Sequence, residues 1–196
     1  MTPRRVPSAK RLPVFAIACL ALAACSEKMD QPAPQASAPV AESAPKVRPA
    51  GAQFAASQEN AESLAAVLTG GVCSVENVVT VPENQSSTGE KPNSYDGTRD
   101  KSYRMVGFAV NKDAGTVPAK VDIVLSGIRN YQLSVDTGRP RQDVADYFKT
   151  PAFDKAGYLV DVAFSDVEPG DYAIYFVDGS GGTKAACATN QSITIR

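Results

Sequence analysis

Arg104-Met105-Val106-Gly107-Phe108-Ala109-Val110 alternates along its length, setting Val106, Phe108 and Val110 on one face. A period of two belongs to a half-buried strand, whereas a helix would repeat near 3.6. The same period returns down the chain. Lys120 to Leu125 aligns Val121, Ile123 and Leu125, and Tyr131, Leu133 and Val135 follow. Then come Tyr158, Val160, Val162 and Phe164, next Tyr172, Ile174 and Phe176, and finally Ile193 and Ile195. Val75 to Val81 reads as a first strand. Asn111-Lys112-Asp113-Ala114-Gly115, Glu168-Pro169-Gly170 and Asp178-Gly179-Ser180-Gly181-Gly182 supply turns between them. One interruption breaks the rhythm. After Pro140, Gln142 to Phe148 sets Val144, Tyr147 and Phe148 at helical spacing. It predicts a short inserted helix that packs its apolar side on a sheet edge or an open end.

From Gly70 onward, about seven or eight strands in about 125 residues predict an all-β fold, an antiparallel β-sandwich of immunoglobulin-like outline. The 196 residues are 43% hydrophobic and 21% charged, which suits one domain with a packed core. The chain has no His and no Trp. Without His there is no Ser–His–Asp or Cys–His nucleophile, no H-E-x-x-H zinc site and no imidazole proton shuttle. The first 24 residues hold Arg4, Arg5, Lys10 and Arg11 and no acid. Without them 16 basic residues face 21 acidic ones, a net charge of −5. So acidic a chain lacks the basic patch that phosphate neutralisation needs, and no nucleic-acid partner is expected.

Behind those basic residues, Leu12 to Ala24 is almost wholly apolar, too short a run for a membrane span. It ends in Leu22-Ala23-Ala24-Cys25, which resembles the lipobox of bacterial lipoproteins. The resemblance covers the first 25 residues or so. It implies a signal peptide over residues 1–24, a diacylglyceryl thioether on Cys25, cleavage before it and N-acylation of the new amine. Ordinary secretory cleavage after Ala24, leaving an unmodified Cys, is the alternative. Ser26 follows where Asp would favour inner-membrane retention in enteric bacteria, so the expected location is the outer membrane, facing the periplasm. Residues 25–69 read as a tether. Pro32, Pro34, Pro39, Pro45 and Pro49 recur among Ala, Ser and Gln, a composition too poor in large apolar groups to offset ordering entropy. Where polyproline-like, it reaches up to ~3.1 Å per residue. Within it, Ala52 to Leu68 is predicted as a short helix with Phe54, Leu64, Val67 and Leu68 on one side, stopped by Gly70-Gly71.

Of four cysteines, Cys19 leaves with the signal and Cys25 takes lipid. Cys73 and Cys187 remain, an even pair in an oxidising compartment, and are expected to form a disulfide. A metal or redox pair would call for a C-x-x-C or a His, and neither is present.

Within the folded part, Gly107-Phe108-Ala109-Val110 is similar to a G-W-A-x-D strand, and Arg141-Gln142-Asp143-Val144-Ala145 with Phe148 to an R-P-D-V-x-x-x-F segment. Gly157-Tyr158 and Val167-Glu168-Pro169-Gly170, leading to Tyr172-Ala173-Ile174, continue the order. Together they resemble β-sandwich accessory modules of bacterial envelope and polysaccharide proteins, over about 80 residues. Phe108 stands where Trp is usual and Gln142 where Pro is. The resemblance implies the fold and carries no catalytic set.

Ser43 to Lys46 is an S-x-x-K, but a stalk offers no dry pocket to lower a Lys pKa. Gly179-Ser180-Gly181-Gly182-Thr183-Lys184 lacks phosphate-loop spacing and reads as a turn. Asp154, Asp161, Asp166, Glu168, Asp171 and Asp178 cluster late in the chain. Paired carboxylates serve Ca²⁺ or glycosidic acid–base chemistry, but Asp161 lies opposite Val160 and Val162, and Asp166, Glu168 and Asp171 bracket a turn. Two groups remain as contact candidates. Tyr95 and Arg99 end the long polar segment Pro82 to Lys101, and Arg129, Tyr131, Arg139, Arg141 and Tyr147 form a second set. Arg with exposed aromatics suits glycans, carboxylates or protein partners; alternatively Asp143 pairs with Arg139 or Arg141. The reading is a non-catalytic, membrane-anchored lipoprotein presenting an interaction module to an envelope protein or cell-wall polysaccharide, with no cofactor or metal. The alternatives are a small-ligand, glycan or calcium-binding carrier and, behind it, a carboxylate-based hydrolase.

Overall fold

Alternating side chains become paired strands in two sheets, numbered here in chain order. The elements are β1 (Ala52–Gln53), β2 (Ala55–Ala56), α1 (Ala61–Ala65), β3 (Gly71–Val81), β4 (Ser94–Gly97), β5 (Ser102–Asn111), β6 (Lys120–Ser126), β7 (Asn130–Asp136), α2 (Gln142–Phe148), β8 (Gly157–Ala163), β9 (Gly170–Asp178) and β10 (Ala185–Ile195). A 3₁₀ turn, Pro151–Phe153, follows α2. This computed structural model describes residues 48–68, 70–178 and 185–196. The signal segment, Cys25, Ser43 to Lys46 and the Gly179–Lys184 turn lie outside the described residues.

One sheet has the order β1-β8-β5-β3 and the other β2-β7-β6-β9-β10-β4. The fold is an all-β sandwich. Most neighbours are antiparallel, but β1 runs parallel to β8 and β4 parallel to β10. Between the sheets, Val75, Val78, Tyr103, Met105 and Val162 meet Ile123, Leu125, Ile174, Phe176 and Ile193. The pattern in β6, β8 and β9 places the expected side chains inward. In β5 it does not: Tyr103, Met105 and Ala109 are buried in the core, and Val106 and Phe108 lie on the opposite face. Gly107 shares the inward face because nothing larger fits. A methyl there would overlap the Ser74 carbonyl oxygen and lie 2.6 Å from the Tyr158 hydroxyl. The outward apolar side chains of β5 have their own cover. Val110 and Phe108 pack with Val144, Ala145 and Phe148 of α2, and with Phe153 and Ala156. The inserted helix therefore seals the outer face of the smaller sheet.

Folded structure begins well before residue 70. Residues 52–57 form a strap rather than the start of a helix. β1 joins the edge of β8, at Ala52 opposite Val162. β2 joins the edge of β7, at Ala55 opposite Gln132. Between them Phe54 drops into the core, 2% exposed, and stacks on Phe164 with ring centroids 5.6 Å apart. Phe164 in turn contacts Tyr103 at 5.2 Å. Only the short α1 is helical here. Asn60 caps it: the Ser63 amide donates to Asn60 Oδ1 at 2.8 Å and the Asn60 amide to Ser63 Oγ at 3.0 Å. Its Leu64 is fully buried with Val124, Val177 and Ala186 on the outer face of the larger sheet.

The sandwich is also stitched covalently. Cys73 in β3 and Cys187 in β10 form a disulfide across the two sheets, 114 residues apart in sequence. Nearby, Gln191 reaches from a bulge in β10 to a bulge in β3. Its Oε1 accepts from the Val75 amide at 2.8 Å, and its Nε2 donates to the Val75 carbonyl at 2.5 Å. The side-chain amide thus takes the place that a neighbouring strand's peptide would fill. Residues 85–87 continue the cover, with the Ser87 amide donating to the Val78 carbonyl and the Thr80 amide to that of Gln85.

Candidate functional site

The contact candidates do not form one surface, and two of them are core residues. Tyr95 and Tyr131 are buried, not exposed. A tyrosine ring suits an apolar interior provided its hydroxyl finds a partner. The Tyr95 hydroxyl donates to the Val75 carbonyl at 2.7 Å and lies 3.2 Å from Gln191 Nε2; burial holds its pKa above the usual value. The Tyr131 hydroxyl accepts from the Glu168 amide at 3.1 Å. The 82–101 segment is correspondingly less of a loop than its composition predicts, since β4 lies within it. Arg99 stays at the surface, where Nη2 donates to the Ser165 carbonyl at 2.7 Å. Arg129, in the β6–β7 turn, pairs with Glu168 at 2.8 Å.

Arg139, Arg141 and Tyr147 lie in α2 or just before it, but only Arg141 gathers partners through its side chain. Arg139 forms backbone hydrogen bonds with Gly157 in both directions. Arg141 is the centre of the group. Its Nη1 and Nη2 donate to the two Glu76 oxygens at 2.7 and 2.8 Å. Its Nε and Nη2 donate to Asp143 at 2.8 and 2.7 Å, so Arg141 rather than Arg139 is the Asp143 partner. The guanidinium also lies 5.2 Å from the Phe108 ring centroid. Hydrogen bonds from Arg141 hold Asp143 down, from its ordinary 3.8 to about 2, and the same bonds raise the arginine. Four hydrogen bonds and a ring occupy this guanidinium, so it clamps α2 to β3 rather than awaiting a ligand. Glu76 was absent from the sequence candidates. Its signal is the pair Glu76-Asn77 inside an apolar strand, two successive polar residues that mark the bulge where Val75 and Asn77 shift register. Tyr147 remains outward, 79% exposed, with its ring edge-on to Phe148 at 4.9 Å.

Asp161, Asp166, Glu168 and Asp171 have four different partners, Glu168 pairing with Arg129. Asp161 forms a two-bond pair with Arg104, at 2.7 and 2.9 Å, which lowers its pKa. Asp166 meets Arg48 at 3.0 Å. Asp171 accepts from Thr194 Oγ1 at 2.5 Å. Among the described residues no three His, Cys, Asp or Glu side chains stand together as a metal cage.

Among the described residues, hollows open at two places on the larger sheet. One, of about 310 Å³, lies between Ser57-Gln58-Glu59 of the strap and Asp122, Val124, Gln132 and Val177. Its polar walls are tied together: Ser57 Oγ donates to Gln132 at 2.8 Å, and Ser134 donates to Asp122. The other, of about 230 Å³, lies where β9 and β10 part at the β10 bulge. No family model, curated protein or solved structure matches the chain.

Proposed function

We propose that this chain is a lipoprotein of the bacterial cell envelope, held by lipid on Cys25 at the outer membrane and facing the periplasm. It presents a non-catalytic β-sandwich as an interaction or structural module, and its partner is an envelope protein or cell-wall polysaccharide. The observation that carries this reading is Leu22-Ala23-Ala24-Cys25 placed directly behind a basic and then apolar leader. The chain beyond it supports the reading. A Pro-rich stretch leads into a strap that joins both sheets, so a load on the tether is delivered to the body of the sandwich rather than to a loose end. Acyl chains contribute ~0.8 kcal/mol per buried CH₂, and more than one chain makes attachment stable.

The test is Cys25→Ala with membrane fractionation and metabolic acyl labelling. Loss of label and release from membranes are expected. Continued membrane association of the variant would refute lipid as the main attachment. In-cell crosslinking of the native chain then separates a discrete protein partner from none. A second reading, a carrier for a small ligand or glycan, is favoured by the hollow at the β10 bulge.

A further inference from the structure

The β10 bulge pulls residues 189–191 away from β9. The Ile174 carbonyl accepts instead from Thr189 Oγ1 at 2.7 Å. Bulges re-aim side chains and are over-represented beside binding sites. The hollow this opens has Ala173 and Ala188 among its lining, with Tyr175 from β9, Pro92 and Asn93 from the turn before β4, and Asn190 and Ser192. Small residues leave the space, and partly buried Tyr175, packed toward the Leu64 cluster, holds one wall in place.

The polar groups here differ from those of the strap hollow. Gln191 is committed inward to Val75 and Tyr95, but the side chains of Asn93, Asn190, Ser192 and Tyr175 make no hydrogen bond within the described chain. All four are uncharged, and two can both donate and accept through an amide. Asn93 and Asn190 each sit in the left-handed region, at φ 56° and 57°. The turn that carries Asn93 is tied to β10 two residues beyond Asn190, where the Ser192 amide donates to the Asn93 carbonyl at 3.1 Å. Two amides, a hydroxyl and a tyrosine around a small apolar floor offer paired donors and acceptors with a ring to cover C–H groups. Those are the demands of an uncharged polyhydroxyl ring, and no group here would complement a charged ligand.

We propose that this hollow is a binding subsite for a neutral oligosaccharide, taking one sugar ring between Tyr175, Asn93 and Asn190. The proposal narrows the polysaccharide partner of the preceding reading, yet it stands on the hollow alone. Failure of lipid anchoring in the Cys25→Ala experiment therefore leaves it intact, and the reverse also holds. The test is calorimetric titration of the full chain, in a detergent without a sugar headgroup, with cellohexaose, maltohexaose, chitohexaose and oligogalacturonate. Binding of at least one neutral hexamer and none of the acidic oligomer is expected. Asn93→Gly with Asn190→Gly removes both amides while keeping backbone that glycine adopts freely, so binding should weaken at least about tenfold with the melting temperature maintained. Tyr175→Phe, which deletes only the hydroxyl, should weaken it less. No binding of any neutral hexamer, binding unchanged in the double glycine variant, or preference for the acidic oligomer would each overturn the proposal.

Discussion

Phe54→Ala asks whether the strap belongs to the fold or to the tether. The ring is 2% exposed and stacked on Phe164. Truncating such a ring ordinarily removes about 3–5 kcal/mol when the chain around it stays in place and a cavity remains. Here the chain has an alternative. Apart from Phe54, the strap is held by strand pairing at Ala52, Gln53, Ala55 and Ala56 and by hydrogen bonds of Gln53 to Ser165 and of Ser57 to Asn130 and Gln132, none of which adds much apolar burial. Without Phe54 it can leave the sheets, and the loss then stops at whatever docking had contributed. We expect urea unfolding to report a loss of about 3 kcal/mol, with amide exchange rising through residues 52–57 while β6 and β9 keep their protection. Leu64→Ala provides a second arm. Phe54 and Leu64 sit in separate apolar clusters. If the strap and α1 leave together, the double variant will lose less than the sum of the singles. A loss below about 1 kcal/mol, or unchanged exchange at residues 52–57, would refute the claim that this ring fastens the strap.

Replacing Cys73 and Cys187 by Ala frees a loop spanning 114 residues, which loop-closure entropy values at about 4.8 kcal/mol; equal urea midpoints for the variant and the oxidised protein would contradict it. Gly107→Ala should destabilise by about 3 kcal/mol, because the added methyl meets the Ser74 carbonyl and the Tyr158 ring with no room to yield; a neutral effect on melting would show that β5 can shift. Asp143→Asn should cost stability at neutral pH and nothing in strong acid. The native carboxyl is depressed from 3.8 to about 2, so its contribution is complete above the unfolded value and fades as pH falls toward 2; a gap between the proteins that stays constant down to that pH would refute the pairing.

What could be read from the chain alone follows from where periodicity is informative. Lys120 to Leu125 and Tyr172 to Phe176 bury one face against the core, and a period of two reports that directly. Gln142 to Phe148 was legible as a helix because its spacing departs from two between strands that keep it. Arg104 to Val110 misled because both of its faces are covered. With α2 over Phe108 and Val110, the apolar content no longer singles out the core side, and the inward Gly107 removes the contrast. The strap failed for the opposite reason. Four of its five paired or buried positions are Ala or Gln, and its one large apolar residue sits in a Pro- and Ala-rich neighbourhood that reads as tether. Tyr95 and Tyr131 read as contact residues in the sequence because the residue type suits both a surface and a core; the carbonyl and amide that meet their hydroxyls distinguish the cases. The β10 hollow leaves no periodic mark, since it arises from a register shift between Ala188 and Ser192.

The side-chain amide of Gln191 has a consequence for crowding. An exposed strand edge is a template on which another chain can add, the more so where copies are crowded together. Three of the four sheet ends carry strands only two or four residues long, β1, β2 and β4. The fourth, β3, is 11 residues long and would be the natural place for growth. Along it Gln191 occupies Val75, residues 85–87 occupy Val78 and Thr80, and the disulfide fixes Cys73. Along β3 a neighbouring copy meets these groups in place of a run of free peptides, so this long edge of the smaller sheet should resist lateral addition of another chain.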